Sequence, residues 1–297
     1  PMIQKLEMLL ALTKTQHFGR AAELLGVTQP SLSSGIKQLE DQLGVKLVQR
    51  GSRFGGLTPE GQRALEWARR IVGDSRQLRE EMRYSREGLS GHLRLAVIPT
   101  ALTEAARLVS RFSRAHPNVS FSILSRSSAE ILKLLENLDA DAGVTYLDNE
   151  PLGRMVSTGL YRENYAVLCR SDHPFAAQTR VAWAALEGMS LSLLTPDMQN
   201  RRILNRNFAA HGLEPKSVVE SNSTIVLVSH VIEAGALTVL PQPMAQFLAI
   251  GHDLRVIPLE DGALRPEVGL IAPHQEPYTP VFRSLLRVAR EMAGEVN

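Results

Sequence analysis

The sequence has a single cysteine, Cys169, among 297 residues, so no internal disulfide framework can form, and a reducing cytoplasm fits this usage. No stretch approaches the roughly 20 consecutive apolar residues of a membrane helix. The first residues lack the basic-then-apolar pattern of a secretory signal, so neither a membrane nor export is expected. The eight histidines are scattered without ligand spacing, so no structural metal is expected. Also missing are a nucleophile–base–orienter set, a phosphate-cradling Gly-rich loop and paired metal ligands. No catalytic residue and no cofactor are expected.

What is present is an ordinary globular composition, 44% hydrophobic, in a chain long enough for two or three domains. The net charge of +2 is unevenly spread: residues 1–90 hold 14 Lys/Arg against 10 Asp/Glu, leaving 19 against 21 for the rest. A basic N-terminal part suits a polyanion, although basic surfaces also serve solubility.

The basic part contains TQPSLSSGIKQLEDQLG, Thr28 to Gly44. Leu32, Ile36, Leu39 and Leu43 recur at helical spacing and predict a helix with one inward face. Thr28 is placed to cap it, Pro30 falls in its first turn and Gly44 ends it. Its other side carries Gln29, Pro30, Ser31, Ser33, Ser34, Lys37 and Gln38, short hydrogen-bonding groups and a cation rather than the Glu/Lys pairs of a solvated face. Upstream, FGRAAELLG sets Phe18, Ala21, Ala22 and Leu25 on one stripe, and Gly26-Val27 leaves room only for a tight turn. The pair reads as a helix-turn-helix whose second helix fits a DNA major groove; a helical hairpin within an all-α protein is the alternative.

Ile3, Leu6, Leu9 and Leu10 predict a covering first helix. After Gly44, Val45-Leu47 and Phe54-Leu57 with intervening glycines predict a β-hairpin wing. It would carry Arg50 and Arg53 to phosphates or the minor groove, or leave them as solvated loop arginines. Thr58-Pro59-Glu60 opens a helix running to about Glu87. Ala64, Ala68, Ile71, Ser75, Leu78 and Met82 alternate in it as a coiled-coil seam, so Ala64, Ala68, Ile71, Leu78 and Met82 are the expected dimerisation residues. A dimer would set two recognition helices on the half-sites of a pseudo-palindromic promoter site in double-stranded DNA.

From Gly88 to Gly91 the chain leaves the linker helix, and strands alternate with helices in the rhythm of a parallel sheet covered by helices. Thr100 and Thr103, Ser125 with Ser127 and Ser128, Thr195, and Asn222-Ser223-Thr224 stand at strand-to-helix corners, where open α/β sheets bind ligands and free N–H groups suit an anion. N-capping is the competing role of each hydroxyl. Arg201 and Arg202 are candidate counter-charges or surface helix residues. Cys169 alternates with Tyr165 and Val167 as in a strand; with no resolving partner, a packed small residue is favoured over a redox sensor.

The run FGRAAELLGVTQPSLSSGIKQLEDQLGVKLVQR, then LTPEGQ and a long helix, closely resembles the DNA-binding half of LysR-type transcriptional regulators, and the remainder follows that family's pattern. Two residues depart: Val48 stands where the family usually has phenylalanine, and Gly35 is a poor helix former, permitting close approach to DNA or merely tolerated. The resemblance implies a winged helix-turn-helix over 1–57, a linker and dimerisation helix over 58–88, and an effector-binding domain over 89–297. That domain would be an α/β, periplasmic-binding-protein-like pair of Rossmann-like subdomains. One would comprise about 92–162 plus 266–297 and the other about 163–265, with crossovers near Arg162-Glu163 and Arg265-Pro266. It favours Thr100, with adjacent Ala101, Thr103, Thr145, Thr195 and Thr224 as effector contacts, beside Ser125 and Ser223. The expected protein is a cytoplasmic, nucleoid-bound activator or repressor and not an enzyme. It would answer to a small anion or carboxylate, touch RNA polymerase and form homodimers or, by family habit, homotetramers. An α/β enzyme or a solute-binding module, with the N-terminal helices as an oligomerisation arm, is the alternative.

Overall fold

The computed structural model describes residues 1–49, 51, 53–262 and 264–296. It divides into two compact units, the first built on Pro1–Gly88 and the second on most of the chain from Leu89 onward.

The first unit starts with α1 (Met2–Thr15), α2 (Phe18–Leu25) and α3 (Gln29–Leu43). The Thr28 side chain accepts the Ser31 N–H, Pro30 sits in the first turn and Gly44 leaves α3 at φ 70°, so polar, proline and left-handed glycine residues set both ends. Leu6, Leu9, Leu12, Ala21, Ala22, Leu32, Ile36 and Leu39 form one core. The two alanines let α2 and α3 cross closely.

Two expectations about α3 are corrected. Leu43 is 42% exposed, while Glu40 is buried at 8%. Its carboxylate accepts the Leu47 and Val48 N–H groups at 2.8 and 3.2 Å and meets Lys46 Nζ at 2.8 Å, which satisfies an otherwise costly buried charge. Gly35 faces α1, not a ligand: a β-carbon there would lie 2.3 Å from Met8 Sδ.

The long helix α4 (Pro59–Glu87) is capped by Thr58. Ala68 is fully buried in the core and Ala64 packs beside it, so neither lies on an open seam. The exposed apolar residues of α4 are Trp67, Ile71, Leu78, Met82 and Tyr84; Ile71, Leu78 and Met82 belong to the expected seam, Trp67 extends their stripe, and Tyr84 lies on another face. The wing is also smaller than the predicted hairpin. Among the described residues it holds one antiparallel bridge, Val48 to Leu57, with Gln49 N–H donating to Gly56 C=O at 3.0 Å and Phe54 edge-on to Phe18.

The second unit has two lobes. The first lobe contains β1 (Gly91–Val97), α5 (Leu102–Ala115), β2 (Val119–Ser125), α6 (Ser128–Glu136), β3 (Ala142–Tyr146) and β4 (Met155–Arg162). The second lobe contains β5 (Tyr165–Arg170), β6 (Leu191–Leu194), α7 (Gln199–Ala210), β7 (Ser217–Ser221), α8 (Thr224–Ala234), β8 (Leu237–Pro241), α9 (Gln242–Ala249) and β9 (Leu254–Pro258). The chain then returns as β10 (Glu267–Pro273) and α10 (Pro280–Val296).

The sheet orders are β2-β1-β3-β10-β4 and β7-β6-β8-β5-β9. Both are mixed, not parallel: β10 runs against β3 and β4, and β5 runs against β8 and β9. In each sheet the reversed strand is the one that arrives from the other lobe. The two crossover segments touch where Glu163 N–H donates to Pro266 C=O at 2.9 Å.

Candidate functional site

On α3 the residues predicted to meet DNA, Gln29, Pro30, Ser31, Ser33, Ser34, Lys37 and Gln38, are all exposed. Two pairs are already tied to each other: the Ser31 and Thr28 hydroxyls at 2.8 Å, and Gln38 Nε2 donating to Ser34 Oγ at 3.3 Å. These bonds fix side-chain direction before any ligand arrives. A shallow groove of about 530 Å³ lies between α1 and α3, with Gln4 and Lys5 on its α1 side and Ser34 and Gln38 on its α3 side. No sequence signal marks Gln4 and Lys5, which lie on a helix read only for its apolar stripe. Arg53 is exposed, and Arg50 lies outside the described residues.

Between the two lobes runs a groove of about 460 Å³, lined by Pro99, Leu102, Ser125, Arg126, Glu130, Met198 and Asn222 to Ile225. It unites Ser125, Ser223 and Thr224 from two strand-to-helix corners, one in each sheet. Thr100 and Ala101 lie in the turn between Pro99 and Leu102 and are buried, Thr100 to 2%. The other candidates are placed differently. Thr145 is sealed in the first lobe, donating to Ser128 Oγ at 3.2 Å. Thr103 lines a separate groove with Arg107, Tyr161 and Phe247, because its position on α5 turns it away from the strand ends. Ser127 follows the capping alternative: its Oγ accepts the Glu130 N–H while Glu130 accepts the Ser127 N–H at 2.8 Å, a reciprocal cap.

Arg201 and Arg202 are engaged elsewhere. Arg201 is buried, held by Glu220 at 3.1 Å and by the Leu194 carbonyl. Arg202 grips Glu150 of the first lobe with two bonds at 2.7 and 2.8 Å. The cation on the groove is Arg126, a residue the sequence does not single out. Among the described residues no carboxylate pairs with it; its Nη1 donates to the Ser125 carbonyl at 2.7 Å. The groove also meets the N-terminus of α8, which no side chain caps and whose free N–H groups favour negative charge. Flanking Met198, Thr195 Oγ1 and Asn200 Oδ1 are buried without a hydrogen-bond partner.

Behind this wall lies a polar cluster invisible in the sequence. Glu163, 1% exposed, accepts the Tyr146 O–H at 3.0 Å and the Tyr165 O–H at 2.9 Å. Tyr146 Oη also accepts from Asn200 Nδ2 at 2.9 Å and shares a 3.2 Å bond with Thr100 Oγ1. Burial pushes the Glu163 carboxyl up to about 8, against the lowering effect of the two phenol hydrogen bonds and with some help from Asp148. Burial and the Glu163 charge push both tyrosines well above their usual range.

Cys169 is fully buried on β5, and burial pushes its thiol up to about 11, away from the thiolate character a redox sensor needs. Among the described residues no group of His, Cys, Asp and Glu is arranged to hold a metal, and no helix is long and apolar enough to cross a membrane.

A helix-turn-helix unit with a long helix, followed by two α/β lobes around a polar groove, defines a ligand-responsive transcriptional regulator. Residues 3–62 match the family model for bacterial regulatory helix-turn-helix proteins of the lysR family, and residues 86–294 match that of the LysR substrate binding domain. The chain belongs to the LysR family of DNA-binding transcriptional regulators and is not an enzyme. It is similar to the HTH-type transcriptional regulator XapR of Escherichia coli (strain K12), 29% identical over 245 residues that cover 82% of this chain and 83% of XapR. The hydrogen peroxide-inducible genes activator of Dickeya chrysanthemi is 32% identical over 193 residues, 65% of this chain and 63% of that protein. Among solved structures, a full-length OxyR variant from Pseudomonas aeruginosa shares the fold, with a TM-score of 0.72 at 24% identity, covering 98% of this chain and 97% of that one.

Proposed function

We propose that the groove between the lobes takes a small anion, of carboxylate or inorganic oxyanion type, whose occupancy alters binding or bending of DNA by the helix-turn-helix unit. The observation that carries this reading is the guanidinium of Arg126, paired with no carboxylate among the described residues, on a groove that meets the uncapped N-terminus of α8. Ser125, Ser223 and Thr224 supply hydroxyls at its wall. Thr195 and Asn200 bring buried polar atoms that lack partners, a state that costs about 1–3 kcal/mol per group until a ligand or water relieves it. Thr100, held in the turn between the wall residues Pro99 and Leu102, is the contact that Tyr146 links to the crossover residue Glu163.

On DNA, Gln29, Pro30, Ser33, Ser34 and Lys37 meet base edges, while Lys37 and the wing arginines Arg50 and Arg53 set phosphate contacts and salt dependence. Residues 1–57 act as the reading unit, 58–88 as the dimerisation helix and 89–297 as the effector domain, with the protein working in the bacterial cytoplasm and in contact with RNA polymerase. Dimerisation uses the Trp67–Met82 stripe of α4. A tetramer is supported by Ile123 on β2 and by Val218, Ile225 and Val226 on β7 and α8. β2 and β7 are the edge strands of the two sheets, so side-by-side antiparallel pairing would cover both apolar edges at once.

The test is calorimetric titration of the full chain with a panel of small carboxylates and inorganic oxyanions, repeated on Arg126→Ala. Binding of at least one anion, weakened ten-fold or more in the variant, is the expected result. Binding that the variant leaves unchanged would move the effector elsewhere.

A further inference from the structure

The hydroxyl of Thr100 is wired to the crossover carboxylate of Glu163 through one phenol, and that phenol has a single proton to give. Tyr146 Oη has four hydrogen-bond partners within 3.2 Å, both Glu163 oxygens, at 3.0 and 3.2 Å, Asn200 Nδ2 at 2.9 Å and Thr100 Oγ1 at 3.2 Å, and the Tyr165 phenol, whose own proton goes to Glu163 Oε2, lies beside it. A phenol donates one hydrogen bond and accepts at most two. When Glu163 is ionised, Tyr146 donates to it and accepts from Asn200 and Thr100. The Thr100 proton is then spent inward, and only its lone pairs remain for a ligand.

When Glu163 is protonated, the opposite arrangement is equally complete. Tyr165 keeps donating to Oε2 at 2.9 Å, the carboxylic O–H on Oε1 donates to Tyr146, and Tyr146 accepts from Asn200 while donating to Thr100. The Thr100 proton is released for a ligand. No heavy atom has to move, because every bond in the chain is kept and only its direction changes.

We propose that Tyr146 and Glu163 are the positioning residues that set the hydrogen-bond polarity of Thr100, so that an anionic effector binds together with one proton taken up by Glu163. The inference rests on the reading of Thr100 as an effector contact, and it adds how that contact is regulated. The remaining charged and titratable groups around Glu163 do not duplicate the relay. Asp148 and Tyr161 act on it only through space. Glu260, Asp261 and Arg265 border the cavity beside it. Arg162, its chain neighbour, is directed to Asp148 and Glu267 at 3.5 Å each. Among the described residues no basic side chain neutralises Glu163, so a proton is the cation available to it. Its carboxyl, pushed up to about 8, changes state close to physiological pH.

The experiment is calorimetric binding of benzoate and of sulfate, whose own charges are constant between pH 6 and pH 9, to the full chain in two buffers of different ionisation enthalpy. Expected for the wild type is proton uptake that is small at pH 7 and approaches one proton at pH 9, with an affinity about ten-fold weaker at pH 9 than at pH 7, since only the protonated fraction offers the donor. Glu163→Gln, whose amide donates permanently, and Tyr146→Phe, which cuts the relay, both lose the pH dependence and the proton uptake. Glu163→Gln also keeps the affinity of the wild type at pH 7. Binding without proton uptake at pH 9 in the wild type overturns the coupling while leaving the anion site standing. Uptake that persists in folded Glu163→Gln overturns the assignment to Glu163. If neither anion binds at any pH, the effector reading and this inference fall together.

Discussion

A β-carbon built on Gly61, in the first turn of α4, would stand 2.0 Å from the carbonyl oxygen of Leu47. That carbonyl accepts the Thr58 N–H at 2.9 Å, so the start of the wing and the start of α4 are clamped backbone to backbone with room only for hydrogen. Gly61→Ala is expected to destabilise the N-terminal unit by about 2–4 kcal/mol, as severe overpacking does. Gly35→Ala meets the end of a flexible side chain, Met8, and gains up to about 1 kcal/mol of helix propensity; its net change should stay within about 1 kcal/mol. Urea unfolding of both variants checks the contrast.

Glu40 carries a pH signature. Burial raises its pKa, but the bonds from Lys46, Leu47 and Val48 outweigh burial and hold the carboxyl below its usual value. A carboxyl lowered in the folded state contributes stability above its unfolded pKa, and that contribution is lost as pH falls through the folded value. Glu40→Gln should flatten the loss of stability of the N-terminal unit between pH 5 and pH 3, and Glu40→Ala should cost about 2–3 kcal/mol at pH 7. Urea midpoints across that pH range measure both.

Sedimentation velocity separates the two faces of α4. Leu78→Asp and Met82→Asp place charge on the exposed stripe and should shift the protein toward smaller species at micromolar concentration while the fold persists. Ala68→Asp should unfold the N-terminal unit instead, because Ala68 is fully buried in its core. Unchanged sedimentation of the first two variants would exclude the stripe as the interface.

The two roles on α3 are separable in DNA binding. Gln29→Ala should reduce discrimination between operator and random DNA while leaving the salt slope nearly unchanged. Lys37→Ala should lower the slope by about 1 if it meets a phosphate. An unchanged specificity ratio for Gln29→Ala removes Gln29 from the reading set.

Much of the fold is legible because local chemistry marks it. Thr28, Pro30 and Gly44 bracket α3, Thr58 and Pro59 open α4, and the strand–helix rhythm after Gly91 follows short apolar runs between turn residues. Local signals fail where tertiary contacts decide. Ala64 and Ala68 fit a coiled-coil seam and a buried core equally well by size, and only the packing of the first helix selects the core. Glu40 resembles a solvated residue because its partners, Lys46 to Val48, lie beyond the helix end. α9 (Gln242–Ala249) and β9 escape a sequence reading, since QPMAQFLA has no capping hydroxyl and follows a strand directly. The reversed strands β5 and β10 depend on how the crossovers enter each sheet, which periodicity does not encode. Of the groove, single hydroxyls at strand ends are readable. The Tyr146–Glu163–Asn200 cluster is not, because it joins residues 17 and 54 positions apart, and Arg126 is overshadowed by the adjacent Arg201-Arg202 pair that the structure commits to Glu220 and Glu150.

The decisive experiment is fluorescence anisotropy of the full chain on the DNA upstream of its own gene and on a scrambled fragment, at two salt concentrations, with and without the anion identified by calorimetry. Expected is selective binding to the upstream DNA that changes when the anion is added in the wild type and does not change in Arg126→Ala. Selective binding that ignores the anion in the wild type would contradict the link between groove and reading helix.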